Sequence, residues 1–329
     1  MNAAIRWGIL GTGAIAKKFV TGLKSVPDAQ IAAIGSRKQD TADAFAKEFG
    51  ASKAHASYEA LASDPEVDAI YVSTPHQLHC VNTLLCLDHG KAVLCEKPFA
   101  INTREAQQMV SRAREKKRFL MEAMWTRFLP AMAQARKWIA EGRIGEPRMV
   151  MADFGFRGDL NADSRLFAPE YGGGSLLDVG IYPLSFASMI FGGKKPHAIT
   201  GSAHLGATGV DEQAAYVLTY DAGRLAVLAS AVRTETPYDA YVLGTEGRIQ
   251  LHSPFWCTTK ATLKIGENEP TVFEQPHQGN GYEYQAMEVM RCLRAGETES
   301  PGMPLAESIV LMETMDVLRA QWGLKYPMD

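Results

Sequence analysis

Short apolar segments alternate with longer amphipathic segments along the N-terminal part of the chain. The short segments are typical of buried strands, and the longer ones repeat their apolar residues at helical spacing. Alternating strands and helices predict a parallel, doubly wound α/β sheet. The predicted strands are 6–10, 31–35, 69–73, 92–95 and 119–122, and the predicted helices are 14–25, 41–49, 76–89 and 103–117.

The pattern changes near residue 124, after which strands separated by Gly, Asp and Asn predominate. Asp221-Ala222-Gly223 is typical of a hairpin turn, so the second part is predicted to be an α+β domain on a mostly antiparallel sheet. We therefore expect a nucleotide-binding domain over 1–123 and a substrate domain over 124–329. Its predicted helices are 130–141, 175–191, 282–294 and 305–322, and its clearest strands are 148–154, 214–220, 224–232 and 248–251.

Composition excludes several classes of protein. The 329 residues are 46% hydrophobic and 22% charged, as in globular domains. The net charge of -3 and the lack of a long basic run argue against a nucleic-acid partner. No apolar stretch is long enough for a membrane helix, and no signal peptide precedes the first strand. The five cysteines have no metal spacing, so reduced thiols and a cytoplasmic location are expected.

A glycine-rich turn follows the first predicted strand and opens the first helix. Gly11, Gly13 and Ala16 match the G-x-G-x-x-G/A pattern, in which the glycines let the backbone approach a pyrophosphate. The free N–H groups of the helix N-terminus would bind the phosphates. A glycine turn in an unrelated α/β protein is the weaker alternative. The predicted cofactor loop is Gly11, Thr12, Gly13, Ala14, Ile15 and Ala16.

The end of the second strand indicates which dinucleotide is bound. NAD enzymes usually present Asp or Glu there, whereas this chain has Ser36, Arg37 and Lys38. A hydroxyl and two cations would bind a 2′-phosphate, so NADP is the predicted cofactor. Alternatively, Arg37 and Lys38 are a solvated pair at the start of a helix.

A lysine at the carboxyl end of a buried strand is a strong candidate for chemistry. Glu96-Lys97-Pro98 follows strand 92–95, at the sheet edge where ligands of parallel α/β proteins bind. A nicotinamide cation nearby would destabilise the ammonium form of Lys97 and favour proton transfer. The alternative is a surface cation before a turn.

Polar residues also follow the strand predicted at 69–73. We expect Ser73, Thr74, Pro75, His76 and His79 to line the cofactor cleft, because they share the same sheet edge. Each histidine alone is more often a surface or capping residue.

Asp178 and Tyr182 are four residues apart, so on a helix they share one face. A carboxylate and a phenol on one face could orient a substrate hydroxyl and transfer its proton. The alternative is an apolar helix with one tyrosine in the core. The triple glycine 172–174 before this segment favours the functional interpretation.

Together these motifs, in this order and over nearly the whole chain, resemble the Gfo/Idh/MocA family of NAD(P)-dependent oxidoreductases. The resemblance implies a Rossmann domain followed by an α+β domain with an open sheet. It assigns Lys97 and Asp178 to the family's catalytic positions, with Glu96 and Lys97 also beside the cofactor. Tyr182 stands where the family usually has a histidine, so a phenol replaces the imidazole.

Tyr182 points to a subgroup of this family, and the segments 92–98, 121–128, 176–182 and 301–308 are similar to those of that subgroup. Its members oxidise trans-dihydrodiols of aromatic hydrocarbons, and D-xylose at its anomeric carbon, with NADP. This resemblance implies that Trp125, Phe154 and Trp256 form an apolar wall of the substrate pocket, although each could be ordinary core. It also implies that Arg127 lies near the cofactor and that a homodimer forms through the C-terminal sheet.

The expected reaction is reversible hydride transfer between a secondary or anomeric alcohol and NADP. Lys97 or Tyr182 would accept the hydroxyl proton, and Asp178 would orient or support the pair. Two alternatives remain open: a sugar oxidoreductase of the anhydrofructose or glucose-fructose type, and a non-catalytic NADP-binding regulator. No metal is expected.

Overall fold

The structure is a computed structural model that describes residues 3–329, and these divide into two compact units. The first unit runs up to Ala100 and includes Arg104–Trp125 and Gln278–Ser308. The second contains Ile101–Thr103, Thr126–His277 and Ile309–Asp329. The chain thus returns to the first unit at Gln278–Ser308. The expected division into 1–123 and 124–329 places this segment in the second domain.

The first unit is built on a parallel sheet whose strand order is β3-β2-β1-β4-β5-β6. Strands β4 and β5 are buried along their whole length, as expected of a parallel sheet covered on both faces. The order reverses between β1 and β4, which is where doubly wound sheets bind dinucleotides. The strands are β1 Ile5–Leu10, β2 Ala29–Gly35, β3 Lys53–His55, β4 Ala69–Val72, β5 Ala92–Cys95 and β6 Leu120–Glu122.

The second unit is built on a mostly antiparallel sheet of order β14-β13-β12-β11-β7-β10-β9-β8. Among the strands described, only β7 and β10 of this sheet pair in parallel. Burial alternates along β8 and β9, so one face is packed and the other is open. The strands are β7 Pro147–Gly155, β8 Ala198–Leu205, β9 Asp211–Tyr220, β10 Arg224–Ala231, β11 Ala240–Gly244, β12 Gly247–Leu251, β13 Lys260–Ile265 and β14 Thr271–Glu274.

The longer helices lie close to their predicted positions. No helix within residues 3–329 is long and apolar enough to cross a membrane. The α-helices are α1 Ala14–Leu23, α2 Gln39–Phe49, α3 Tyr58–Ser63, α4 His79–Asp88, α5 Thr103–Lys116, α6 Pro130–Ala140, α7 Ile181–Ile190, α8 Glu283–Ala295 and α9 Leu305–Trp322.

The predicted fold class is confirmed, and so is the hairpin turn at Asp221–Gly223, which joins the antiparallel strands β9 and β10. Two short elements, β3 and α3, have no counterpart in the prediction because a three-residue strand carries little periodicity. The single helix predicted over 175–191 is wrong in its first turn. Leu176–Gly180 forms a π-helical turn, and the α-helix begins only at Ile181.

Candidate active site

The glycine loop lies at the carboxyl end of β1. Gly11 has a φ of 102°, and a Cβ there would lie 3.0 Å from Ser73 Oγ, so only glycine fits between the ends of β1 and β4. A Cβ at Gly13 would meet no heavy atom within 4 Å, and Gly13 gives α1 no side-chain cap. An uncapped helix N-terminus beside open backbone fits a pyrophosphate, because its N–H groups and dipole favour an anion.

A cationic group of residues follows β2. Ser36 is buried, whereas Arg37 and Lys38 are exposed at the start of α2. Tyr58, the first residue of α3, interacts electrostatically with Arg37. Burial raises the pKa of Tyr58, and Arg37 partly offsets that rise. Hydroxyl and guanidinium donors without a carboxylate among residues 36–38 fit a 2′-phosphate. Sequence reasoning missed Tyr58, which only the position of α3 brings to Arg37.

His79 connects the two loops that follow β4 and β5. Its ring is fully buried, with Nδ1 2.8 Å from the carbonyl oxygen of Pro98 and Nε2 2.8 Å from that of Thr74. Burial lowers the pKa of His79 to about 4, and a neutral imidazole donates only one of these two hydrogen bonds. Asn82 adds a hydrogen bond to Thr74 Oγ1 at 3.1 Å. The geometry gives His79 a structural role, and its predicted contact with a cofactor stays a prediction.

The other predicted residues of this loop lie at the same edge. Ser73 Oγ donates to the carbonyl oxygen of Leu10 at 2.9 Å, which ties the end of β4 to the end of β1. His76 is 8% exposed, and its ring centroid lies 5.7 Å from that of His79. Pro75 immediately precedes the short 3₁₀ turn that begins at His76.

Two buried carboxylates hold the backbone around Lys97. The phenol of Tyr71 donates to Glu96, and Glu96 Oε2 accepts a hydrogen bond from the Lys97 N–H at 3.2 Å. Glu122, at the end of β6, accepts from the Phe99 N–H at 3.2 Å and from Ser308 Oγ at 2.7 Å. The partly exposed Lys97 therefore stands on a backbone that is fixed on both sides. The roles of Tyr71, Glu122 and Ser308 were not visible in the sequence.

In the second unit, Asp178 lies in the π-helical turn Leu176–Gly180. π-Helical turns are uncommon in proteins, and those that occur are frequently found at functional sites. The fully buried Asp211 carboxylate accepts from Ser175 Oγ and from the Leu176 N–H, both at 2.7 Å. The Tyr216 hydroxyl donates to the carbonyl oxygen of Gly180 at 3.3 Å. Residues of β9 thus hold both ends of the turn that carries Asp178.

Asp178 and Tyr182 are both largely buried, at 4% and 7% exposure. Asp178 Oδ1 accepts from Arg165 Nη1 at 2.7 Å, and Arg165 belongs to the Gly-, Asp- and Arg-rich loop after β7. The ring of Tyr182 lies 5.4 Å from that of Phe154. The π-helical turn replaces the regular helix on which the shared face of Asp178 and Tyr182 was predicted. Arg165 is a further residue that sequence reasoning missed.

The predicted aromatic residues fall in different units. Phe154 and Trp256, both in the second unit, stack with centroids 3.4 Å apart and an interplanar angle of 6°. Trp125 belongs to the first unit, where it stacks on Tyr282 at 4.2 Å. Arg127 is buried in the second unit and donates to Ser185 Oγ at 2.8 Å. Their predicted contacts with substrate and cofactor stay predictions.

The predicted residues form two groups, one within each unit. The first unit brings Lys97 to the same sheet edge as the glycine loop. The second unit brings Tyr182 against Phe154 of the stacked Phe154–Trp256 pair. Within residues 3–329, no cluster of three His, Cys, Asp or Glu side chains is placed to hold a metal ion. The described groups offer an anion site and proton-transferring side chains.

Comparison with known protein families gives matches in both units. Residues 5–124 match the Gfo/Idh/MocA oxidoreductase family with an NAD-binding Rossmann fold. Residues 132–250 match a C-terminal domain of the same family.

Curated relatives match over nearly the whole chain. A trans-1,2-dihydrobenzene-1,2-diol dehydrogenase from Mus musculus is 41% identical, and the match covers 99% of each chain. The enzyme of the same name from Homo sapiens is 38% identical, again over 99% of each chain.

Solved structures with the same fold cover both units. A 3-ketoreductase from Actinomadura kijaniata, in complex with NADP and TDP-benzene, has a TM-score of 0.83 at 26% identity and covers 96% of this chain and 97% of its own. An aldose-aldose oxidoreductase from Caulobacter crescentus has a TM-score of 0.87 at 22% identity with the same coverage, which shows the shared fold.

Proposed function

The chain belongs to the Gfo/Idh/MocA family of oxidoreductases with an NAD-binding Rossmann fold, and on that premise we propose that it is an NADP-dependent dehydrogenase. Its substrate is a secondary or anomeric alcohol, either a trans-dihydrodiol or an aldose such as D-xylose. The observation that carries the proposal is the anchoring of the backbone around Lys97, by Glu96 at Lys97 itself and by Glu122 at Phe99, at the sheet edge that follows β5.

The preference for NADP rests on the residues after β2. Arg37 offers a guanidinium, Ser36 a hydroxyl and Lys38 an ammonium, and none of them repels a 2′-phosphate. The Actinomadura kijaniata 3-ketoreductase, solved with NADP, supports the same choice.

The chemistry is divided between the side chains and the cofactor. When bound, the nicotinamide accepts or returns the hydride. Lys97 or Tyr182 accepts the proton of the substrate hydroxyl, as the general base of the oxidation. Asp178 supports the proton acceptor, and its ion pair with Arg165 fixes the position of the carboxylate. Phe154 and Trp256 hold the apolar part of the substrate.

The test is the appearance of NADPH when the protein is mixed with NADP⁺ and either trans-dihydrobenzenediol or D-xylose. Lys97→Met is expected to lower kcat by about 10²- to 10⁴-fold with little change in NADPH binding. Lys137→Met, an exposed lysine of α6, is the matched control. Near-normal turnover by Lys97→Met would contradict the role of Lys97. Tight NADPH binding without turnover of any polyol would favour a regulatory protein.

A homodimer through the open face of the second sheet completes the proposal. Met151, Val227 and Val217 occupy the same register position on β7, β10 and β9, at 43%, 38% and 40% exposure. A continuous apolar row on an open sheet face is typical of an interface between subunits. Val227→Glu is expected to give a monomer in light scattering, whereas Val272→Glu on the edge strand β14 should not change the mass. An unchanged mass for Val227→Glu would refute this interface.

A location in the cytoplasm belongs to the same proposal. Cys80, Cys86, Cys95, Cys257 and Cys292 are all free thiols, which is usual in a reducing compartment.

A further inference from the structure

Tyr238 has an unusual backbone conformation. Its φ is 65°, and among residues 3–329 only Asp28, Lys117 and Ala222 are other non-glycine residues with positive φ. Ala222 lies in the hairpin turn between β9 and β10, and Lys117 directly follows α5. For a residue with a bulky side chain this conformation is an outlier, and such strain persists where the surroundings hold it for a function.

Two neighbouring segments hold the backbone of Tyr238. Its N–H donates to Asp153 Oδ1 at 2.9 Å, and its carbonyl oxygen accepts from the Phe255 N–H at 2.9 Å. Asp153 directly precedes Phe154, and Phe255 directly precedes Trp256. The strained residue is therefore tied to both segments that carry the stacked aromatic pair.

The strain places the ring of Tyr238 against that pair. Its centroid lies 4.9 Å from that of Trp256 at an interplanar angle of 87°, and 5.9 Å from that of Phe154 at 82°. All three rings remain partly exposed, and Phe154 also contacts the ring of Tyr182. The stacked pair and the perpendicular ring form an angular aromatic surface that continues to Tyr182.

We propose that Tyr238 is a specificity-determining residue that holds the flat, unsaturated ring of the substrate in this angular aromatic surface. Asp153 is the positioning residue that maintains its strained backbone. The surface favours an unsaturated ring over a sugar, because aromatic edges contact apolar carbon well and leave most sugar hydroxyls without partners. This inference rests on the proposed dehydrogenase function and adds the class of substrate.

The experiment measures kcat and KM for trans-dihydrobenzenediol and for D-xylose at saturating NADP⁺. Tyr238→Ala is expected to raise the KM for the diol about tenfold and the KM for D-xylose less than about threefold, with little change in kcat or in the KM for NADP⁺. Tyr238→Phe keeps the ring and should behave as the wild type. Asp153→Ala should reproduce part of the rise in KM for the diol.

Tyr238→Gly distinguishes the loss of the ring from the relief of backbone strain, because glycine adopts a positive φ without strain. If the ring determines specificity, Gly and Ala at position 238 raise the KM for the diol equally. Tyr284→Ala, a similarly exposed tyrosine on α8, is the matched control. An unchanged KM for the diol in Tyr238→Ala, equal changes for both substrates, or a Phe variant as impaired as Ala would overturn the inference.

Failure of the proposed function has a different signature, in which the wild type oxidises neither substrate. Binding of the diol is then measured by quenching of Trp256 fluorescence, with Trp256→Phe identifying the signal. A dissociation constant about tenfold weaker in Tyr238→Ala would support the role of Tyr238. Equal constants in the wild type and Tyr238→Ala, or no diol binding by the wild type, would overturn it.

Discussion

The buried carboxylate of Asp211 makes a prediction about the pH dependence of stability. Asp211 lies at the start of β9, has no exposed surface, and accepts hydrogen bonds from Ser175 and Leu176 through Oδ2. Burial raises its pKa from 3.8 to about 6, although those hydrogen bonds oppose the rise. The folded state therefore keeps a proton on Asp211 at pH values where the unfolded chain has already released it.

The sign and size of the effect follow from proton linkage. Between about pH 4 and pH 6 the folded state binds more protons than the unfolded state, so the free energy of unfolding falls as pH rises. At about 1.4 kcal/mol for each pKa unit, ionisation of Asp211 costs the folded protein roughly 3 kcal/mol above pH 6. The ionised group lies wholly within the protein, so solvent does not screen this cost.

Asp211→Asn removes the ionisation and keeps an oxygen acceptor. Its amide NH₂ would occupy the position of Oδ1, which has no hydrogen-bond partner among the described residues. Burying this unsatisfied donor lowers the free energy of unfolding by about 1–3 kcal/mol at every pH. The expected result is a difference in unfolding free energy, variant minus wild type, that rises by roughly 3 kcal/mol from pH 4 to pH 7. Only this change with pH tests the reasoning.

The assay is denaturant unfolding of both proteins at a series of pH values from 4 to 8. Asp159→Asn, an exposed carboxylate of the same unit, controls for the loss of one negative charge. A difference between Asp211→Asn and the wild type that stays constant across this range would refute the assignment of a raised pKa to Asp211.

Two further predictions concern the cofactor and the turn that carries Asp178. Arg37→Ala is expected to weaken NADP⁺ binding about 10- to 100-fold with little effect on NAD⁺, because it removes a charge-assisted contact to the 2′-phosphate; equal losses for both, measured by titration against a Lys47→Ala control, would argue against this role. In Gly180→Ala the new Cβ would lie 2.9 Å from the Tyr216 hydroxyl oxygen and 3.1 Å from Ser230 Oγ. We expect a loss of about 1–3 kcal/mol in unfolding free energy and a lower kcat, with partial recovery when Tyr216→Phe removes the hydroxyl; no recovery in the double variant would count against the clash.

Much of the fold could be predicted from local sequence patterns. Buried strands and amphipathic helices repeat their apolar residues over a few positions, so the alternation that defines the first sheet is visible without tertiary information. Gly11 and Gly13 directly follow a strand, and Ser36, Arg37 and Lys38 directly follow the next one. The π-helical turn at Leu176–Gly180 could not be predicted, because its residues have ordinary helical periodicity.

The sequence by itself therefore determined the fold classes of the two domains and identified the glycine loop as a candidate phosphate site and Lys97 and Tyr182 as candidates for proton transfer. Tertiary structure alone decided what holds these groups. Glu122 reaches Phe99, Asp211 reaches Ser175, and Asp153 reaches Tyr238, each across a long stretch of chain. A buried carboxylate gives no local pattern, because its partners are set by which strands become neighbours rather than by which residues are adjacent in sequence.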